Sequence, residues 1–169
     1  MINLQTWELL SYIVTVFGLP LAIFSFIWQQ RKERENEEEA VYQLLSDAYT
    51  DFLKLVMENP DLKLRSQGVT SDLTEENFTH EQLERIQVLF EILISLFERA
   101  YLLAYEDKMT GKQLRRWASW DDYMREWCAR EDFQQMLPRL LQGEDPDFCA
   151  YIQKLVPTAH TELKGVNHV

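Results

Sequence analysis

Glycine, proline, histidine and cysteine are all scarce in this chain of 169 residues, at 5, 5, 3 and 2. Each shortage removes a class of protein. So little turn chemistry argues against an all-β domain. Cys128 and Cys149 sit in stretches of amphipathic pattern and form neither a disulfide framework nor a zinc spacing. His80 stands at a helix start, and His160 and His168 lie near the C-terminal end of the sequence. No two histidines have metal-ligand spacing, and no Glu-x-x-His pair marks a di-iron bundle.

Basic residues are short as well, with 17 Lys and Arg against 28 Asp and Glu, for a net charge of −11. Glu8 is the one charge before Arg31, so residues 31–169 carry −10. An acidic domain of this kind repels nucleic acid, which is excluded as an expected partner. Phosphate-loop, dinucleotide and nucleophile-elbow patterns are missing, and Gly111-Lys112 lacks the upstream glycine of a phosphate loop. Neighbouring carboxylates such as Asp121 and Asp122 point around a helix rather than converge. No catalytic residue, metal or cofactor is therefore expected.

Long hydrophobic runs are also rare, but there is one. Between Glu8 and Arg31 lie 22 uncharged residues rich in Ile, Leu, Val and Phe, and ~20 suffice to cross a hydrocarbon core as a helix. Trp7 and Trp28 bracket the run, ~31 Å apart at helical rise, the separation of two interfacial aromatic belts. A signal peptide would begin with basic residues and carry a shorter apolar core. Here Arg31, Lys32 and Arg34 come after the run instead, so the positive-inside rule sets the N-terminus outside and the bulk of the chain in the cytoplasm.

One face of the run differs from the rest. Glu8, Ser11, Thr15, Gly18, Ala22, Ser25 and Gln29 recur at spacings of three and four. They are the small and polar residues of the segment, whereas Phe17, Phe24 and Phe26 point elsewhere, toward lipid. Small residues let helices approach and hydroxyls bond across, so Ser11, Thr15, Gly18, Ala22, Ser25 and Gln29 form a candidate oligomer or lumen stripe. The competing reading is that the hydroxyls bond back to their own helix. Pro20 cannot donate to the carbonyl of Val16 and predicts a mild kink.

The remaining chain reads as helices. Residues 1–30 form the N-terminal transmembrane helix and residues 31–60 a juxtamembrane helix that continues it, with an apolar stripe at Val41, Leu45, Ala48, Phe52 and Leu55. Lys32, Asn36, Glu39, Gln43, Ser46 and Thr50 prolong the polar stripe. Residues 61–78 hold turn formers and make the main loop, residues 79–157 a helical bundle, and residues 158–169 a flexible tail. Within the bundle, Thr79 with Gln82 predicts a capped helix to about Asp107, apolar on two sides and therefore central, with Glu91 and Glu98, one heptad apart, read as a solvated strip or, alternatively, as part of an interface. Thr110 with Gln113 caps a second helix through about Cys128, on which Trp117, Trp120 and Trp127 share a face. That face is read as core or as a candidate surface for a cytosolic protein partner, with a lipid surface, suited by Lys112, Arg115 and Arg116 ahead of it, as the competing reading. Asp132 opens a short helix interrupted at Pro138, and Asp145-Pro146 starts a last one that ends before Pro157.

The order of parts, with GLP at residues 18–20 and the segment WASWDDYMREWCAREDF at residues 117–133, resembles small bacterial single-span helical membrane proteins of uncharacterised families. Some of these serve phage defence. Among them the membrane accessory of RNA-targeting CRISPR systems is the nearest functional model, and the resemblance implies an oligomeric pore in the bacterial inner membrane. The expected class is thus all-α, a single N-terminal transmembrane helix continuing into a cytoplasmic helical bundle. The expected partners are the lipid bilayer and further copies of the chain. A monomeric anchor that recruits a cytosolic partner through its acidic bundle is the alternative.

Overall fold

The computed structural model describes Trp7, Tyr12, residues 14–65, Leu73 and residues 77–157, and of Val14 and Thr15 only the backbone. Every regular element among them is helical. A π-helical turn, Val14–Gly18, precedes α1 (Leu19–Glu58); a 3₁₀ turn at Pro60–Leu62 closes it; then come α2 (His80–Ala104), α3 (Gly111–Cys128), α4 (Glu131–Leu140) and α5 (Pro146–Leu155). The chain divides into two compact units, Met1–Val41 and Tyr42–Val169.

In the first unit the π turn lies ahead of Pro20, which has no N–H to donate. That turn is wider than an α-helical one, each of its hydrogen-bonded rings being one residue larger. Among the described residues no helix is long and apolar enough to cross a membrane. The uncharged opening of α1, residues 19–30, reaches only ~18 Å of the ~30 Å required, and charge begins at Arg31. Of the span expected over residues 7–28, the part before Val14 lies outside the described residues except for Trp7 and Tyr12. The expected tail, residues 158–169, and residues 66–72 and 74–76 of the expected loop lie outside them too.

The second unit is built on sharply punctuated helices. Thr79 accepts from Gln82 N at 3.2 Å while Gln82 Oε1 accepts from Thr79 N at 2.9 Å, the reciprocal box that the sequence predicts for α2. Thr110 and Gln113 repeat it for α3. Asp145 caps α5 by accepting from Asp147 N and Phe148 N at 2.9 and 3.1 Å, with Pro146 at the first helical position. The expected break at Pro138 does not occur: α4 runs past it to Leu140. Phe133, Leu137 and Leu140 are buried, and their packing outweighs one lost backbone bond. Gly143 turns the chain between α4 and α5 with φ at +94°, where a side chain would be strained.

The core is aromatic. Trp127 meets Phe52 at 5.6 Å and Phe90 at 6.2 Å, both edge to face, and Phe90 meets Phe133 at 5.1 Å. A second nest gathers Tyr101, Tyr105, Phe148 and Tyr151, with Trp117 5.2 Å from Tyr105 and 5.7 Å from Tyr151. Each such ring, fully buried, contributes roughly 1.5–3 kcal/mol, and edge-on geometry adds to that. On α1 the buried stripe is Leu45, Tyr49, Phe52 and Val56, rotated from the expected one: Ala48 is half-buried and Leu55 exposed. The rotation arises from Tyr49, which stacks on Tyr123 at 4.4 Å and accepts a hydrogen bond from Trp127 Nε1 at 3.2 Å.

Candidate functional site

Two features of the molecule go beyond packing: the uncovered start of α1 and a charged corner that ties the bundle together.

From Val16 to Ala40 every residue is exposed. Within residues 16–28 this includes Phe17 at 68%, Phe24 at 72%, Phe26 at 60% and Trp28 at 59%. Apolar side chains project all round, so no rotation of this segment could hide them against one neighbour. Gly18, Ala22, Ser25 and Gln29 share one exposed face, and Lys32, Asn36, Glu39, Gln43, Ser46 and Thr50 continue it, all exposed. Ser11 lies outside the described residues, and of Thr15 only the backbone, in the π turn, is described. Further along, Thr50 Oγ1 donates to Ser46 O at 3.0 Å, the back-bonding that the competing reading foresees. Lys32 lies over the Trp28 ring at 5.6 Å, a cation–π contact between two exposed side chains.

The three tryptophans offered as a partner surface are placed differently. Trp117, Trp120 and Trp127 are 5%, 2% and 1% exposed, so a partner cannot reach them, and the partner-face expectation is corrected to core. Their indoles are held from within. Trp127 donates to Tyr49, Trp117 donates to Tyr151 at 3.1 Å, and the Tyr151 hydroxyl donates to Asp121. Burial, followed by this bond to Asp121, pushes the Tyr151 phenol above its ordinary range. Beside them a crease of about 200 Å³ is floored by Tyr42, Tyr49, Trp120 and Tyr123 and flanked by an Arg65–Glu126 ion pair at 2.8 Å. That is smaller than a usual small-molecule chamber.

The charged corner is not legible as a site in the sequence. Asp132, 4% exposed, takes a two-pronged bond from Arg130 at 3.0 and 2.6 Å. Arg130 also donates to Leu64 O and covers the Trp127 ring at 5.6 Å. One guanidinium thus joins the end of the α1 turn to the α3–α4 corner. Glu98, expected in a solvated strip, is instead half-buried and accepts from Asp145 N at 2.6 Å, 47 residues away. It also faces Glu144, whose carboxyl is raised to about 7 by burial, by a hydrogen bond with Glu98 and by the Glu98 charge. Neighbouring carboxyls resist ionising together, which favours the protonated form of Glu144.

Among the described residues no group of histidine, cysteine and carboxylate side chains could hold a metal ion. The Cys128 thiol is buried and pushed up to about 12 by desolvation, which leaves it unreactive at neutral pH. No protein-family model, curated protein or solved structure matches the chain.

Proposed function

We propose that this chain is a non-enzymatic membrane module, anchored through residues 7–28 with its N-terminus outside and its acidic bundle in the bacterial cytoplasm. It assembles with further copies through Gly18, Ala22, Ser25 and Gln29. The observation that carries the reading is the exposure of residues 16–28 on every side. Apolar surface of this extent is costly in water and free of cost in hydrocarbon. The Trp28–Lys32 pair and the cluster of Arg31, Lys32 and Arg34 mark the cytoplasmic boundary. Lipid offers no hydrophobic drive for helices to associate, so the small, polar face supplies close packing and hydrogen bonds. In a ring of copies the polar stripe that continues to Thr50 lines an opening, which makes a pore the effector form of the assembly. A monomeric adaptor, the alternative, would recruit its partner through another face of the acidic bundle, because the three tryptophans are buried.

Light scattering of the detergent-solubilised protein, with the detergent mass subtracted, tests the assembly. A multiple of 20.2 kDa that falls when Gly18→Leu and Ala22→Leu are combined supports it. The same mass with and without those substitutions contradicts the face. Dye-tight liposomes carrying the assembled protein would contradict the pore.

A further inference from the structure

The sequence reading makes α2 a central helix, apolar on two sides, yet one of its sides is uncovered. Val88, Ile92 and Leu102 are 52%, 40% and 56% exposed, with Glu91, Ser95 and Arg99 exposed among them. With Ala48 of α1 most of these line an open groove of about 470 Å³. The spacing on this face is its own complement. Counting outward from Ser95, four residues lead back to Glu91 and four lead on to Arg99; seven lead back to Val88 and seven lead on to Leu102. Reversing the helix about Ser95 therefore exchanges Glu91 for Arg99 and Val88 for Leu102, while Ile92, three residues before Ser95, falls opposite the half-buried Glu98.

From this symmetry we infer that the outer face of α2 is a homodimer surface, on which a second copy of the bundle packs antiparallel about a twofold axis at Ser95. Val88 of each copy meets Leu102 of the other, and Glu91 meets Arg99, each pair occurring twice, as a closed isologous interface requires. Among the described residues Arg99 makes no ion pair, whereas Glu91 already has its carboxylate oriented by Gln87 Nε2 at 2.8 Å. Ser95, small and at the axis, lets the two helices approach. A parallel pair would set Glu91 against Glu91 and Arg99 against Arg99, so the charges select the antiparallel arrangement. The contact runs ~21 Å along the helix, a small interface suited to a reversible dimer. It does not rest on the proposed function and competes with it: α1 ends where α2 begins, at the Asp61–Arg85 pair, so reversing α2 also reverses α1, and chains anchored side by side in one bilayer could not pair this way.

Cysteine cross-linking in the full chain, under mild oxidation in detergent, distinguishes the arrangements. Cys128 is buried, and the wild-type chain reports any background from Cys149. Chains carrying Glu91→Cys and Arg99→Cys, co-expressed with different tags, should cross-link to each other several-fold more than either does to itself. Ser95→Cys should cross-link to itself. Adding Arg99→Glu to Ser95→Cys should suppress that product, and adding Glu91→Arg as well should restore it. Self-linking of Glu91→Cys or of Arg99→Cys in preference to the mixed pair would overturn the antiparallel interface. So would an absent Ser95→Cys product, or one indifferent to Arg99→Glu; either result would leave the groove to a different partner. The combination Gly18→Leu and Ala22→Leu should leave the Ser95→Cys product in place, which separates this surface from assembly through the span.

Discussion

Helix α1 is one continuous element with two kinds of surface. Its first part, up to Ala40, buries nothing, although it holds Phe24, Phe26 and Trp28. Its last part buries Leu45, Tyr49, Phe52 and Val56 at spacings of four, three and four, and its other sides mix polar residues with the exposed Leu44, Leu55 and Met57. The lesson is in the pattern rather than in the amount of hydrophobicity. A single apolar stripe is matched to a protein neighbour, while an apolar perimeter is matched to a solvent that surrounds the helix.

The largest test of that contrast is a matched pair of truncations. Phe52→Ala, in the closed part, should cost the bundle roughly 3–5 kcal/mol of unfolding free energy in urea, whereas Phe24→Ala should leave the same transition within about 0.5 kcal/mol. Equal losses would mean that the exposed segment is packed after all. Next in size is Asp132→Ala, which strands the Arg130 guanidinium among Leu64, Trp127 and a vacated partner. About 3 kcal/mol is expected, read as a lower denaturation midpoint with an unchanged slope. A cost near zero would show that the corner is solvated.

A smaller, pH-dependent effect belongs to Glu144. Its carboxyl is raised to about 7 from the usual 4.5, so the folded chain binds the proton more tightly than the unfolded one. The stabilisation it brings is complete below pH 4.5 and is lost as pH rises through about 7. The bundle should therefore weaken across that window by about 1 kcal/mol after solvent screening. Glu144→Gln should flatten the slope and be the more stable protein at pH 8, as thermal melts across the pH range would show. An unchanged slope in that variant would assign the window to other groups.

What the sequence makes legible is whatever is local. The boxes at Thr79 and Thr110 and the Asp145-Pro146 start each need only three or four neighbouring residues, and the helices begin where those residues fall. The tryptophan face is legible as a face, with core among its readings. Its burial depends on Tyr49 and Tyr151, which lie far away in sequence. Glu98 shows why a heptad position alone misleads: its partners, Glu144 and the Asp145 amide, are fixed by the turn at Gly143, and nothing around Glu98 announces them. Pro138 misleads because the propensity for a break is local while the burial of Leu137 and Leu140 is not. The π turn before Pro20 is not legible, since a heptad count assumes uniform helical winding.

The central proposal is that residues 16–28 lie in a bilayer, where they meet lipid and further copies of the chain rather than water. Flotation of the reconstituted full chain with liposomes after an alkaline carbonate wash tests it most directly. The protein should rise with the vesicles and stay with them through the wash. Recovery of a monodisperse protein in the aqueous fraction would contradict the account and show that another surface covers the segment.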